Sequence, residues 1–372
     1  MNEKLYYRNP STGALEIKDF AEKIPTHQRY VKEYDSEGRQ EIKLKEFASD
    51  ASLGLLRIAD PVSTQLVQGY PVPKNFIGDM LFTPVRMAKE SGKFPAFGDE
   101  SYVVPTDLKR AVGGKVERIL TQSGSISMSL SEYALGVAIE NRERNEWAGS
   151  PEQLLNSKLN TVVTKIARLR EKNQATLATT AGSYATGLAT SGASKAWAST
   201  GDPVKDMLQL VLDVQVGNDA RPNVVWFTPA AWMLWRRNKA VLDTIKFGSS
   251  SASPANVTPE LSAQLLEVDK VLVAYAGYGT GGKGGEGGKG KADLTKAFLW
   301  DNVVQSSNAG AMIVGTGGGI EPAFGYTWER NNSPVIESYY ENQTKSQVWD
   351  YEHFFDAAVT KTNAGGLYYS LA

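Results

Sequence analysis

Ser150-Pro151-Glu152-Gln153-Leu154-Leu155-Asn156-Ser157-Lys158-Leu159 begins a helix that dictates what the rest of the chain has to supply. Ser150 can cap it, Pro151 takes the first helical position where no amide donor is needed, and Gln153 closes a capping box. Leu155, Leu159, Val162, Ile166, Leu169 and Asn173 then recur at spacings of four and three, drawing one apolar stripe on a rod that runs to about Thr180. Lys158, Lys165, Arg168 and Lys172 lie off the stripe. With Glu152 at the start they complement the helix dipole and read as a solvated face, nucleic acid being the alternative partner. At ~1.5 Å per residue the rod is roughly 40 Å long. Its two heptads are too few for a dedicated coiled coil, so a sheet is the expected packing surface.

Sheet is available on both sides of the rod. After a stretch of small residues, 181–201, three further helices announce themselves by a capping residue and a proline: Asp202-Pro203, Thr228-Pro229 and Thr258-Pro259. Strand-like segments at 224–227, 268–278, 297–300 and 311–315 alternate with them, which makes 201–325 an α/β lobe. From Phe324 the chain returns to segments rich in Tyr, Trp and Val at 326–330, 335–340, 347–360 and 367–371, and 133–139 is the natural partner for them.

Upstream, a projecting strand pair is expected, with a first leg at 92–104, a tip at 106–114 that includes Lys109, Arg110 and the flexible Gly113-Gly114, and a return leg at 115–130. The return leg alternates cleanly as Ser125-Ile126-Ser127-Met128-Ser129-Leu130-Ser131, placing Ile126, Met128 and Leu130 on one face. An arm has no core of its own to cover that face, so a second chain is the economical cover. Residues 1 to about 50, with 9 Lys/Arg and 10 Asp/Glu and no heptads, read as an extended arm that orders against something else. The expected organisation is therefore an N-terminal arm at 1–75, the hairpin and its base at 76–135, a second region with the long helix at 136–200, the α/β lobe at 201–325, and returning strands at 326–372.

Composition narrows the chemistry. The 372 residues carry 40 Lys plus Arg against 41 Asp plus Glu, a formal charge of -1, so bulk charge does not grip nucleic acid. The absence of Cys excludes disulfides, thiolate nucleophiles and Cys-type zinc sites. The opening Met1-Asn2-Glu3-Lys4-Leu5 lacks the pattern of a signal peptide, and no stretch approaches the ~18 apolar residues of a membrane span, which reads as cytoplasmic synthesis. Gly277-Tyr278-Gly279-Thr280-Gly281-Gly282 matches the dinucleotide string but is followed by Gly/Lys-rich sequence rather than a helix. Gly277 to Lys283 and Gly285 to Lys291 fit GxxxxGK, yet Gly284 and Ala292 stand where the phosphate loop needs Ser or Thr, so 277–291 reads as an exposed loop kept soluble by Lys283, Lys289 and Lys291. His27 and His353 have no partner spacing for a metal, and no catalytic, cofactor or metal residue is assigned.

The order of elements resembles the major capsid protein of tailed double-stranded DNA phages, with its Hong Kong 97-type fold. Val224-Val225-Trp226-Phe227-Thr228-Pro229-Ala230-Ala231-Trp232 followed by Arg236-Arg237-Asn238 is similar to that family's strand, capped helix and basic-Asn run. Pro259 to Tyr275, Pro322-Ala323-Phe324-Gly325-Tyr326-Thr327-Trp328, and Ser131-Glu132-Tyr133-Ala134-Leu135 leading to Ser150 resemble neighbouring phrases. The likeness spans about residues 76 to 372.

The resemblance implies an α+β fold with an N-terminal arm and an extended hairpin laid over a neighbour through Ile126, Met128, Leu130, Lys109 and Arg110. It further implies a peripheral domain with a spine helix at 150–180, an axial α/β domain, and no enzymatic activity. Copies would assemble as pentamers and hexamers into a virion shell around double-stranded DNA, without sequence-specific contact and without a membrane. A separate scaffold or none is implied, with portal and decoration proteins as further partners, and no Lys–Asn cross-link is assigned. The alternatives are an encapsulin-like nanocompartment shell and, from another class, a phosphate-binding enzyme using the Gly277 to Lys291 loop.

Overall fold

The computed structural model describes residues 5–8, 15–18, 29–34, 40–44, 58–59, 61–68, 73, 75–97, 109, 110, 116, 123–195, 197–247, 257–280, 295–302, 307–316 and 323–371. They divide into two compact units, Met1–Ile58 and Ala59–Ala372.

The first unit departs from the expected extended arm. Leu5–Arg8, Leu15–Lys18, Arg29–Tyr34 and Gln40–Leu44 form an antiparallel sheet in which the first strand lies between the second and third. The physical cause is in the sequence: Ile42 and Leu44 alternate with Glu41 and Lys43, and Gly13 and Gly38 stand between paired strands, which is a hairpin pattern hidden by high charge. The arm expected to reach residue 75 also contains the helix Pro61–Gln68, which belongs to the second unit and buries Val67 beneath the strand Val335–Glu341.

The second unit is built on the long helix, Pro151–Thr179. Ser150 Oγ accepts the Gln153 amide at 3.3 Å, with Pro151 behind it, as the cap requires. One rod serves two cores. Leu159, Val162 and Ile166 pack on the peripheral sheet with Ile336, Tyr351 and Phe355, whereas Ala175 and Ala178 pack under the axial sheet with Trp300, Phe324 and Tyr184.

The peripheral sheet is organised around the 14-residue strand Ser346–Val359. Ser131–Glu140 pairs along one edge, Tyr133 opposite His353 and Ile139 opposite Gln347, as expected for 133–139. Val335–Glu341 and Gly325–Arg330 follow one another along the other edge, and Thr83–Met87 runs parallel to Gly325–Arg330.

The axial sheet has the order Ala189–Ser191, Gly365–Tyr369, Ala309–Met312, Val224–Phe227, Lys270–Val273. Helices Pro203–Asn218, Pro229–Arg237, Lys239–Phe247 and Pro259–Leu266 cover one face around Trp232 and Trp235, while Trp226 and Trp300 fill the other. Two boundaries differ from expectation: 365–369, expected among the returning peripheral strands, and 189–191, expected in the peripheral region, both pair in the axial sheet. The pairing is dictated by Gly310 and Gly366. A Cβ on Gly310 would stand 2.5 Å from Trp226 Nε1, and one on Gly366 would stand 2.6 Å from Leu210, so only glycine lets the strands approach under those side chains. Asp202 and Thr258 cap their helices as expected, but the Thr228 hydroxyl is taken by the Asn308 amide at 2.9 Å instead.

Candidate assembly surfaces

The hairpin leaves the body between Thr83–Met87 and Ser131–Glu140. Ser91–Phe97 pairs antiparallel with Ser123–Ser129, Phe94 opposite Ile126 and Gly92 opposite Met128. The alternation holds, with Met128 buried, Ile126 and Leu130 half-buried, and Ser125, Ser127 and Ser129 exposed. The expectation that this stripe is left bare by its own chain is corrected. Ile126, Met128 and Leu130 pack against Val85, Met87, Tyr326 and Trp328 of the peripheral lobe. Phe94 stacks on Trp328 with centroids 3.9 Å apart and planes 29° off parallel, and Arg330 pairs with Glu90 at 3.0 Å. Strand alternation shows which face is apolar but not whether the covering group lies 200 residues away in the same chain. Lys109 and Arg110, further along the hairpin, are exposed; the remainder of 98–122, apart from Val116, lies outside the described residues.

Where the long helix passes from one sheet to the other, its buried face turns polar. Arg170 Nε donates to Asp79 Oδ1 at 2.8 Å and Arg170 Nη1 pairs with Glu329 Oε1. Gln174 Nε2 donates to Asp79 Oδ1 at 2.7 Å and Thr327 Oγ1 at 2.8 Å. Glu171 accepts three donors: the amides of Ile77 at 3.0 Å and Gly78 at 2.9 Å, and Trp300 Nε1 at 2.8 Å. The joint therefore ties the helix to the hairpin base, the peripheral sheet and the axial lobe. A Cβ on Gly78 would strike the Gln174 amide and the Glu171 carboxylate, so any side chain there displaces two bonded groups of the joint.

Burial pushes the Glu171 carboxyl up to about 7 against the pull of its three donors. His353 borders the same cluster, and burial followed by the Arg170 charge lowers it to about 4. Asp79 and Glu171 are consumed by structural partners and line a cavity of about 170 Å3 shared with Val67, Phe76 and Tyr351. Apolar stripes cannot reveal such a joint, because its buried positions are charged or polar.

Exposed apolar side chains also concentrate on the axial lobe. Val216 is 87% exposed and Leu212 50%, one turn apart on Pro203–Asn218, and Met233 is 58% exposed on Pro229–Arg237. The signal was present in sequence: Met207, Leu210, Val211 and Val214 already fill the buried stripe, so Leu212 and Val216 are surplus.

Of the strings that match nucleotide motifs, the described residues reach only Gly277 to Thr280. Gly277–Thr280 is a strand paired with Thr295–Phe298, so no helix opens on its glycines. Lys283, Lys289, Lys291 and His27 lie outside the described residues. Among the described residues no cluster of three His, Cys, Asp or Glu could hold a metal, and no helix is long and apolar enough to cross a membrane.

No family model matches the chain. Over 289 residues it is 30% identical to the major capsid protein of Burkholderia phage BcepMu, which covers 77% of this chain and 88% of that protein. The chain belongs to the phage major capsid protein family.

Two solved structures agree on the fold. A phage-related protein from Bordetella bronchiseptica RB50 superposes with a TM-score of 0.66 at 22% identity, over 85% of this chain and 98% of that one. The capsid of cyanophage P-SCSP1u matches with a TM-score of 0.50 at 10% identity, over 78% and 86%. The fold is thus the Hong Kong 97-type shell fold, and the capsid protein's role is structural, as a repeated unit of a virion shell. In that light the exposed Leu212, Val216 and Met233 are unburied apolar surface on a capsid protein that assembles with copies of itself.

Proposed function

We propose that this capsid protein tiles an icosahedral head as pentamers and hexamers, encloses double-stranded DNA without reading its sequence, and catalyses no reaction. The observation that carries this is the 30% identity to a major capsid protein over 77% of the chain. Synthesis in the host cytoplasm precedes assembly, and a separate scaffold, portal or decoration protein completes the head. The axial lobes surround the five- and six-fold axes, where Leu212 and Val216 meet the neighbouring copy. The distal hairpin reaches an adjacent subunit through Lys109 and Arg110, and what remains accessible of Ile126 and Leu130 joins that contact.

The test is electron microscopy of the purified full-length protein, together with nuclease digestion of particles from the native source. Closed shells with nuclease-protected DNA are expected. A protein that stays monomeric at high concentration refutes the shell, and shells that protect an enzyme cargo instead of DNA refute the virion.

A further inference from the structure

The peripheral lobe is two layers thick, and its two outer faces carry opposite charge. On the sheet side, cross-strand register puts Glu337 opposite Asp350, Asp350 opposite Gly136, Val335 opposite Glu352, Glu341 opposite Ser346, Ser346 opposite Glu140, and Phe354 opposite Glu132. Cross-strand partners share a face. Trp349, Tyr351 and Phe355, in the alternate register, point to the helix, so these six carboxylates lie on the side away from it. The strands Ser131–Glu140, Val335–Glu341 and Ser346–Val359 contain no lysine or arginine, while Arg330 of the adjoining strand lies over the Phe354 ring on this face and is paired with Glu90.

On the helix side the sign reverses. Lys165 and Lys172 are exposed and Arg168 is half-buried between them. Their spacing of three and four places them in one line over ~10 Å of helix. Lys158 continues the line but is held by Glu143 at 2.6 Å. The helix's own acids lie elsewhere, Glu152 in the first turn and Glu171 buried in the joint. Read alone, the basic line is a solvated face; the acidic layer behind it is what gives the lobe a direction.

Resting on the reading above that the shell encloses DNA, we propose that the helix layer of the peripheral lobe faces the DNA, with Lys165, Arg168 and Lys172 meeting backbone phosphates, while the carboxylate-bearing sheet face points outward. The physical basis is that a polyanion held close to a two-faced plate is attracted by one face and repelled by the other. Contacts of this kind neutralise phosphates without reading bases, so they fit a genome of any sequence.

The experiment titrates full-length dissociated subunits with a 30-base-pair duplex by fluorescence anisotropy at several salt concentrations. Three phosphate contacts give a log–log salt slope of about -2.7, a loss of roughly 40-fold in affinity between 50 and 200 mM salt. Lys165→Glu with Lys172→Glu should weaken binding at least tenfold at 50 mM and bring the slope to about -1. Glu337→Gln with Glu352→Gln should leave the slope unchanged. Parental binding by the lysine variant, or a slope that responds to the sheet-face variant instead, overturns the proposal.

Imaging of DNA-filled particles supplies the second arm. Duplex density beside Lys165 and Lys172 supports the assignment, and a helix layer on the outer surface overturns it while leaving the shell intact. Failure of the unmodified chain to form shells strikes the reading on which the proposal rests, and the titration still reports on the helix face by itself.

Discussion

Replacing Arg170 by methionine removes the one cation that two acidic side chains share inside the helix joint. Arg170 is 8% exposed, donates to Asp79 and Glu329, and lies 5.6 Å over the Phe355 ring. Methionine retains the apolar contact with Phe355 but leaves Glu329, with only 13% of its side chain exposed, without its cation. Removing one member of a buried ion pair costs about 3–5 kcal/mol. The Asp79 arm adds little, because that side chain is 39% exposed and keeps the Gln174 amide. The expected loss is therefore about 3 kcal/mol, carried by the Glu329 arm. Urea unfolding of subunits under non-assembling conditions measures it.

Glu329→Gln in the Arg170→Met background should recover part of the loss, with a coupling of roughly 2 kcal/mol in the double-mutant cycle. Arg170→Met by itself should raise the His353 ring pKa from about 4, because the Arg170 charge is one of the causes that lower it. NMR titration of the ring reads this without reference to folding. A stability loss below about 1 kcal/mol with no coupling to Glu329 would refute the claim that the pair is effectively buried.

Met128→Asp buries a carboxylate against Trp328 and Tyr326, so it should destabilise the subunit itself by about 3 kcal/mol or more and appear as loss of soluble folded protein. Lys109→Glu with Arg110→Glu, on exposed positions, should change subunit stability by less than ~0.5 kcal/mol while reducing particle yield by sedimentation. For pH, His353 is lowered from 6.5 to about 4, so the unfolded chain binds the extra proton and stability falls as pH drops through 6.5 to 4, by up to ~3 kcal/mol. Glu171 is raised from 4.5 to about 7, so stability falls as pH climbs through 4.5 to 7 by a similar amount. The two slopes oppose each other between 4.5 and 6.5; His353→Phe should expose the Glu171 slope, and an unchanged pH profile of unfolding would remove His353 from the balance. Deleting residues 283–290 should leave particle yield unchanged, checked by negative-stain counting, if the Gly/Lys-rich stretch serves only as a solvated tip.

Local rules made the second unit legible where partners are near in sequence. Ser150, Asp202 and Thr258 act as caps because capping is settled within three residues, and Val224–Phe227 is a strand at the expected bounds because a four-residue apolar run followed by Thr-Pro allows little else. The same rules misled where the deciding partner is distant. Ile126, Met128 and Leu130 form the stripe that alternation demands, but Trp328 covers them, and only the tertiary path through Gly325–Arg330 brings that ring beneath the hairpin. Gly365–Tyr369 carries the Tyr and Leu of a peripheral strand, and its place in the axial sheet is decided by Gly310 and Gly366, whose missing side chains become meaningful only when Trp226 and Leu210 are seen against them.

The joint is the plainest case. An apolar stripe assigns Leu169 and Asn173 to the buried face, whereas the helix actually buries Arg170, Glu171 and Gln174. Charged residues at these positions are indistinguishable from solvated ones unless Asp79, Trp300, Thr327 and Glu329 are already in place, between 91 and 159 residues away. Buried charge is tolerated only where such partners converge. The helix can leave the peripheral sheet and reach the axial one because its last third is held by directional bonds to both, through Thr327 and Glu329 on one side and Trp300 on the other.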